Sequence, residues 1–281
     1  MTRSKLETAS DAKRLNQDGA DFRPYIWVTR PWPQADAHAA ALVEHGLRPL
    51  LSPVLTIRKL PVSKTPPLPP EYIEGLIFTS LNGVLNFPQD WIAAFAGHPV
   101  FVSGTATSEA ARQVGFADVH GSTGEGSRGM LDLVRTTIPA GKTATAPAIL
   151  YVAGATRTPY LEDALAPDYA LTLLETYQAE LAEHLTPLAS QAFAANQVIA
   201  ATLFSSRSAG HAAKLLRDSF GARADDLLES LLAVCISPTV AVKARQYGFI
   251  RIATSDIESV DSVTKKLVEQ LKNSAKPTNL L

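Results

Sequence analysis

Short apolar segments that alternate with helical patterns run through most of this 281-residue chain. GLIFTS (75–80) and AILYVAG (148–154) are two such segments, and each precedes a stretch with apolar residues at helical spacing. Strands that alternate with helices of this length predict parallel α/β layers. The proline-rich run KLPVSKTPPLPP (59–70) interrupts the pattern and can be neither a helix nor a central strand. It therefore predicts a domain boundary.

The first helical pattern, ADAHAAALVEHG (35–46), shows how the helices are read from the sequence. It predicts Ala39, Leu42 and Val43 on one apolar face and Gly46 at the position that ends the helix. The same periodicity in WIAAFAG predicts that its two large aromatic residues belong to the core rather than to a surface platform for stacking.

Charge and cysteine content disfavour several classes of protein. Lys and Arg number 26 and Asp and Glu 27, so the net charge of −1 offers no general attraction for nucleic acid or for an anionic membrane. The single cysteine, Cys235, cannot form an internal disulfide, and its apolar neighbours in LLAVCIS predict a buried side chain rather than a nucleophile. The polar stretch 1–23 does not resemble a signal peptide, and no apolar run approaches the ~20 residues of a membrane helix. We expect a cytoplasmic protein with a flexible extension (1–24) and a C-terminal tail (273–281).

Two pairs of segments repeat within the chain. VSGTATSEAARQVGF (102–116) aligns without a gap to CISPTVAVKARQYGF (235–249), at a shift of 133 from Gly115 to Gly248. IFTSLNG matches LFSSRSA at a shift of 126 from Phe78 to Phe204. We interpret the pairs as two similar α/β units, in which one strand ends in Phe-Thr/Ser-Ser and another in Ser-Gly-Thr or Ser-Pro-Thr.

The repeated segments lie where strands pass into helices, and such places bind ligands in parallel sheets. Small residues there let a ligand approach the backbone amides, and hydroxyl groups add donors without bulk. Two units that face each other across a cleft would suit a ligand with several carboxylates. Each hydroxyl, taken alone, is equally well explained as an ordinary helix N-cap.

Other motifs carry little functional weight. GEGSRG (124–129) matches the G-x-G-x-x-G pattern, but no acidic residue follows about 20 positions later, so a mobile connection is the better interpretation. No metal-ligand spacing joins the histidines, most of which we expect at the surface or in caps. They are His38, His45, His98, His120, His184 and His211.

The order and spacing of nine segments resemble the uroporphyrinogen-III synthase family, over residues 25–271. The segments are VTRP, the helix that ends at Gly46, SPVLTI, GLIFTSLNGV, VSGTATSEAARQVG, YVAGATRTPYLEDAL, ETYQ, LFSSRSAG and ISPTVAVKARQYG. The resemblance implies a monomeric enzyme of tetrapyrrole biosynthesis, without metal or organic cofactor, that cyclises linear hydroxymethylbilane with loss of water and inversion of the last pyrrole. It implies two flavodoxin-like domains, residues 25–58 plus 178–272 and residues 62–174, joined by two extended strands, with a cleft between them.

The same resemblance implies a set of site residues. Tyr177 matches the family's tyrosine beside the cleft; we expect it either to donate a proton to the departing hydroxide or to pack as a hinge residue. Arg30 and Arg157 are expected either to pair with substrate carboxylates or to cap and bridge locally. The remaining substrate-binding candidates are Thr79, Ser80, Asn82, Gly104, Thr105, Thr107, Ser206, Ser208 and Thr239. The chain departs from the family at Ser237, where glycine is usual, at Val240, where a second threonine is common, and at Asn82, where some members carry arginine.

The alternative to an enzyme is a two-domain protein that binds a carboxylated metabolite without transforming it. A Rossmann-type oxidoreductase is disfavoured because the acidic residue that would hold a ribose is missing. A transcription factor would need a helix-turn-helix motif with a basic face, and the sequence shows none.

Overall fold

The computed structural model describes residues 23–122, 127–140 and 146–274. The first 22 residues, the tail from 275 and the loop glycines Gly124 and Gly126 lie outside the described residues. The described chain forms two compact units, one of residues 23–55 and 181–274 and the other of residues 56–180.

Strands and helices alternate along most of the chain, as the apolar pattern predicts. In order they are β1 (Tyr25–Val28), α1 (Gln34–Glu44), β2 (Arg48–Leu51), β3 (Leu55–Lys59), a 3-10 helix (Pro70–Tyr72), β4 (Gly75–Phe78), α2 (Leu81–Leu85), α3 (Gln89–Phe95), β5 (Pro99–Ser103), α4 (Thr105–Val114), β6 (Asp118–Ser122), α5 (Ser127–Thr137), β7 (Ala148–Gly154), α6 (Tyr160–Leu165), β8 (Ala170–Leu181), α7 (Pro187–Ala194), β9 (Val198–Leu203), α8 (Ser206–Phe220), α9 (Arg223–Ser230), β10 (Leu232–Cys235), α10 (Pro238–Gln246), β11 (Arg251–Thr254) and α11 (Val260–Ser274).

The first unit contains a five-stranded parallel sheet in the order β2-β1-β9-β10-β11. Strands β1 and β10 are buried along their whole length, as expected for parallel strands that are covered on both faces. Helices α7 to α10 pack on one face and helices α1 and α11 on the other. We call this the five-stranded unit.

The second unit contains a six-stranded sheet in the order β6-β5-β4-β7-β8-β3. All pairs from β6 to β8 are parallel. Strand β3 lies antiparallel beside β8, because Leu60 N–H donates to the carbonyl of Thr176 while Ala182 N–H donates to the carbonyl of Val54. Helices α2 to α4 cover one face of the sheet, and α5 and α6 cover the other. We call this the six-stranded unit.

The two sheets have the same internal order when their strands are matched by position. Strands β4, β5 and β6 correspond to β9, β10 and β11, and strands β7 and β8 correspond to β1 and β2. The equivalent units therefore begin at different points along the chain, since the five-stranded unit takes its last two strands from the N-terminus. The prediction of two similar parallel-sheet domains is confirmed.

The longer repeated segment owes much of its similarity to the way its helix ends. Gly115 and Gly248 both have a positive φ, 116° and 107°, which glycine adopts without steric strain. The next residue, Phe116 or Phe249, is buried, and its N–H reaches back to the carbonyl of Ala111 or Ala244. This is the Schellman arrangement, so Ala-Arg-Gln-x-Gly-Phe terminates α4 and α10 in the same way.

Helix α1 ends as predicted, but its buried face differs from the expected one. Gly46 has a φ of 72° and follows the last turn. Val43, which we expected on the apolar face, is 59% exposed, because it lies about 100° around the helix from Leu42. The buried face instead includes His38.

Three predicted core residues are confirmed. Trp91 and Phe95 are buried in the six-stranded unit, where their rings contact Phe87. Cys235 is a buried free thiol, and burial raises its pKa to about 12. None of the helices in the described part of the chain is long and apolar enough to span a membrane.

Candidate active site

Each sheet has a point at which the chain reverses the direction of its crossovers. In the six-stranded sheet this point lies between β4 and β7, and in the five-stranded sheet it lies between β9 and β1. Ligands of open α/β sheets bind at the carboxyl ends of the strands that flank such a point. Several of the predicted site residues follow these four strands, so we describe each of the two edges in turn.

Tyr177 lies on β8 at an irregularity in the pairing with β7. Ala153 is paired with Glu175, whereas the next residue, Gly154, is paired with Tyr177, so Thr176 is an extra residue in β8. A bulge of this kind re-aims the following side chain, and bulges are common beside active sites. The Tyr177 ring lies against the backbone of Gly154, and Ala155 N–H donates to the carbonyl of Tyr177.

Tyr151 and Thr79 join the two strands that flank the switch point. The Tyr151 hydroxyl lies 3.4 Å from Thr79 Oγ1, and Ser103 Oγ donates to the carbonyl of Thr79 at 2.7 Å. Tyr151 is 2% exposed, and burial raises the pKa of its hydroxyl, which therefore stays protonated. Tyr177 is near enough to Tyr151 to raise that pKa further.

Arg157 is held by two carboxylates of the same unit. Its Nε lies 2.6 Å from Glu162 Oε1 and its Nη1 lies 2.7 Å from Glu175 Oε1. Its Nη1 also donates to the carbonyl of Gly154 at 3.1 Å. These contacts connect the loop after β7 to α6 and to β8. They place the arginine beside Gly154, against which the Tyr177 ring lies.

Two further candidates on this edge begin helix α2. Ser80 is the N-cap of α2, and its Oγ accepts the N–H of Asn82 at 3.1 Å. Asn82 itself lies in the first turn of that helix and is partly buried. Ser80 thus has the capping contact that its residue type suggests.

Helix α4 begins without a side-chain cap. Its N-cap is Gly104, an exposed residue with a φ of 78°, so the approach to the first amide groups is open on this side. An added Cβ on Gly104 would meet no atom within 4 Å, which indicates that backbone conformation rather than space requires glycine here. Thr105 is exposed at the start of the helix, and Thr107 is buried.

The matching edge of the five-stranded unit begins helix α8. Ser205 is the N-cap, and its Oγ accepts the N–H of Ser208 at 3.0 Å and lies 2.8 Å from the Ser208 hydroxyl. Ser206 is the first helical residue and is partly buried. The N-caps and first residues of α2 and α8 correspond at a shift of 125, from Ser80 to Ser205. The alignment of IFTSLNG with LFSSRSA at a shift of 126 is therefore wrong by one residue. Strand β9 ends at Leu203, before the phenylalanine.

Helix α10 begins at Pro238, with Ser237 as an N-cap whose side chain makes no capping bond. Ser237 has an extended backbone with a φ of −151°, which any residue adopts, so this position does not require the glycine usual in the resembling family. Thr239 is exposed in the first turn, and Val240 is buried in the core.

Arg30 follows β1 at the switch point of the five-stranded sheet. Its guanidinium carbon lies 4.3 Å from the centroid of the Phe204 ring. No Asp or Glu of the described chain forms an ion pair with it, and burial lowers the pKa of Arg30 to about 10. The His38 ring packs against the Phe204 ring in a T-shaped arrangement, with 5.2 Å between the two ring centroids.

Sequence reasoning missed Tyr151, Phe204 and His38 as parts of the two edges. His38 had a detectable signal, because Ala35, His38 and Leu42 fall on one face at helical spacing. Tyr151 lies inside an apolar run and Phe204 inside a repeated segment, and neither pattern reveals a partner across the sheet. Among the described residues, no cluster of three or more His, Cys, Asp or Glu side chains is placed to hold a metal ion.

Comparisons with known proteins agree with the fold and with the order of the motifs. The uroporphyrinogen-III synthase HemD family model matches residues 36–265. A mutant uroporphyrinogen III synthase from the extremely thermophilic bacterium Thermus thermophilus has 17% identity and a TM-score of 0.54, over 89% of this chain and 99% of that one. The uroporphyrinogen-III synthetase of Helicobacter pylori 26695 has 17% identity and a TM-score of 0.53, over 90% of this chain and 100% of that one. A search of curated proteins found no match. Since the family model covers most of its length, this chain belongs to the uroporphyrinogen-III synthase family.

Proposed function

We propose that this member of the family converts hydroxymethylbilane into uroporphyrinogen III, with Tyr177 as the proton donor to the leaving group. The observation that supports this role is the position of Tyr177, directly after the bulge in β8 and against the backbone of Gly154. The bulge and the close contact with Gly154 hold the ring in one place without a hydrogen bond to its hydroxyl. No described residue forms a hydrogen bond with that hydroxyl, which therefore keeps its donor for a substrate.

The reaction needs one proton transfer and close control of shape. The hydroxyl group of the substrate leaves as water with the proton of Tyr177, and the nitrogen of the adjacent pyrrole stabilises the cation that remains. The substituted carbon of the last ring attacks this cation, and a spiro intermediate then fragments and recloses with that ring inverted. The ring proton lost in the final step restores Tyr177. Holding the chain in a reactive conformation and excluding direct closure supply most of the selectivity.

The carboxylates of the substrate require many donors, and the carboxyl edge of each sheet offers them. In the six-stranded unit we propose the first amide groups of α4, at Gly104, Thr105 and Thr107, together with Thr79. In the five-stranded unit we propose Ser206, Ser208 and Thr239. Amide and hydroxyl groups at helix starts bind anions without a net positive charge, in keeping with a chain whose net charge is −1.

We propose more specific roles for four other candidates. Ser80 caps α2, so we propose that it orders the helix start. We propose that Asn82, in the first turn of the same helix, contacts the substrate. Arg157 already has two carboxylate partners, so we propose that it stabilises the loop beside Tyr177. Arg30 has no such partner and is proposed to bind a substrate carboxylate.

We also propose that the enzyme is a cytoplasmic monomer with domains at 25–58 plus 178–272 and at 62–174. The small-molecule substrate follows from the family, whereas the oligomeric state, the compartment and any transient contact with the preceding enzyme of the pathway are part of this proposal.

The test uses the full chain and freshly prepared hydroxymethylbilane. The products are oxidised to porphyrins, and the type I and type III isomers are separated by chromatography. Heat-denatured protein is the control, since linear substrate closes spontaneously to the type I isomer. We expect predominantly type III product. Type I product alone would leave a binding protein without this activity.

The Tyr177→Phe variant tests the proton donor. It keeps the ring against Gly154 but removes the hydroxyl, and we expect kcat to fall about 100-fold, as is common when a general acid is lost. Tyr72→Phe is the matched control, because Tyr72 is an exposed tyrosine of the same unit. Full turnover by a folded Tyr177→Phe enzyme would rule out the acid role and leave Tyr177 as a packing residue.

A further inference from the structure

Three side chains from different elements form a stack at the switch point of the five-stranded sheet. Arg30 follows β1, Phe204 follows β9 and His38 lies in helix α1. The guanidinium lies 4.3 Å over the phenylalanine ring, and the histidine ring meets that ring edge-on at 82°. We call these residues the Arg30 stack.

The cation of this stack lacks a compensating charge. Arg30 is partly buried, and within the described residues no carboxylate lies within ion-pair distance of it. Taking a cation out of water without an anion costs free energy, and the lowered pKa of Arg30 has the same cause. An aromatic face recovers part of that cost but does not neutralise the charge. A site of this kind favours the binding of an anion.

In the six-stranded unit, the arginine at the equivalent place forms ion pairs with carboxylates of its own unit. Strands β1 and β7 occupy equivalent places in the two sheets, and Arg157 follows β7 as Arg30 follows β1. Arg157 binds Glu162 and Glu175, so its charge is already used within the unit. The comparison indicates that the two arginines have different roles and that only Arg30 has its charge available for a ligand.

His38 supports the stack as a neutral group. It is 0% exposed, and neither ring nitrogen has a hydrogen-bond partner. Burial first, and then the nearby Arg30, lower the pKa of His38 to about 4, so it carries no charge at neutral pH. The guanidinium is therefore the charge that the stack presents, and the T-shaped contact with the imidazole holds the phenylalanine ring beneath it.

We propose that Phe204 and His38 are the positioning residues of the carboxylate contact already proposed for Arg30, and that they hold its guanidinium in place for an acetate or propionate group of the linear tetrapyrrole. The inference rests on the proposed function, because it names one contact of that substrate. Guanidinium and carboxylate form paired, charge-assisted hydrogen bonds, which suit a site with one fixed cation.

Steady-state kinetics with hydroxymethylbilane test the contact. We expect Arg30→Gln to raise KM about 10- to 100-fold, the range for a charge-assisted hydrogen bond, while kcat changes less than about twofold. We expect Phe204→Leu to raise KM about 3- to 10-fold through loss of the cation–π contact. Phe204→Tyr keeps the ring and should restore KM, which a defect in folding alone would not explain.

The double variant decides whether Phe204 acts through Arg30. If it does, adding Phe204→Leu to Arg30→Gln changes KM no further, because the guanidinium that the ring holds is already gone. His38→Leu should follow the same rule, with a smaller rise in KM as a single variant. Additive effects, or an unchanged KM in Arg30→Gln, would overturn the proposal.

A second cation–π pair in the same unit provides the control. Arg48 lies 3.9 Å over the ring of Tyr25, at the opposite ends of β1 and β2 from the proposed site. We expect Arg48→Gln to leave KM unchanged. Type III product from the wild-type enzyme together with an unaltered KM in Arg30→Gln would reject the stack but retain the proposed function. Type I product alone from the wild type would reject the function itself.

Discussion

The ring of Tyr177 lies so close to the backbone of Gly154 that a Cβ on Gly154 would come within 2.8 Å of two of its ring carbons. Real Cβ atoms do not approach other atoms so closely, so any side chain at this position must displace the ring. Gly154 therefore contributes to the site because it has no side chain. Its contact with Tyr177 is the first of four features that can be tested by substitution.

Gly154→Ala should reduce turnover without abolishing the fold. The added methyl group pushes the Tyr177 ring from its place, and a displacement of about 1 Å at a catalytic group lowers kcat about 10- to 100-fold. Gly210→Ala is a matched control, since its Cβ would meet the ring of Tyr247 at 2.8 Å and neither Gly210 nor Tyr247 is a proposed site residue. Both variants are compared by thermal unfolding and by kcat. Equal kcat values in the two would contradict the role of the Gly154 contact.

Ser205→Ala should destabilise the protein more than Ser206→Ala. Ser205 caps α8 through the N–H of Ser208, and loss of such a cap costs about 1 kcal/mol. Ser206 is the first helical residue and makes no capping bond, so its replacement should cost less than about 0.5 kcal/mol. Urea unfolding measures both. A larger loss in Ser206→Ala would restore the alignment of the repeat at 126.

Arg157→Gln should act mainly on stability. The substitution breaks partly exposed ion pairs with Glu162 and Glu175 and a hydrogen bond to the carbonyl of Gly154, and we expect a loss of about 1 to 2 kcal/mol in the free energy of unfolding. Lys214→Gln breaks the exposed ion pair between Lys214 and Asp218, which lie one helical turn apart, and should cost less than about 0.5 kcal/mol. A large rise in KM with unchanged stability would show instead that Arg157 binds substrate.

His38 should make stability depend on pH between about 4 and 6.5. Its pKa in the folded state is about 4, below the ordinary value of 6.5, because burial and Arg30 disfavour the charged form. Between these values the unfolded chain binds a proton that the folded protein does not. The contribution of His38 to the free energy of unfolding is therefore complete above pH 6.5 and falls as the pH drops towards 4. The difference is on the order of 3 kcal/mol.

Urea unfolding at a series of pH values compares the wild type with His38→Leu, which cannot titrate. The difference in stability between the two proteins should change as the pH falls, because only the wild type loses stability as this group is protonated. Parallel curves across the whole range would show that His38 titrates normally in the folded protein.

Much of this protein was open to prediction from sequence because its elements are encoded locally. The apolar runs of β1, β4 and β10, the glycine that ends α1 and the Ala-Arg-Gln-x-Gly-Phe helix ends each depend on residues a few positions apart. Their order along the chain also pointed to the family. The position of Val43 was misjudged because a single apolar residue at the border of a helical face changes little in the pattern.

The functional edges depended on contacts that no local pattern encodes. The sequence by itself determined the alternation of strands and helices, the duplicated helix ends and the set of polar residues after the strands. Only the tertiary structure decided that Arg157 is neutralised, that Arg30 is not, and that His38 backs Phe204. The reason is physical: the charge state and the orientation of a side chain depend on groups brought near by sheet pairing, and residues such as Arg30 and Phe204 stand far apart along the chain.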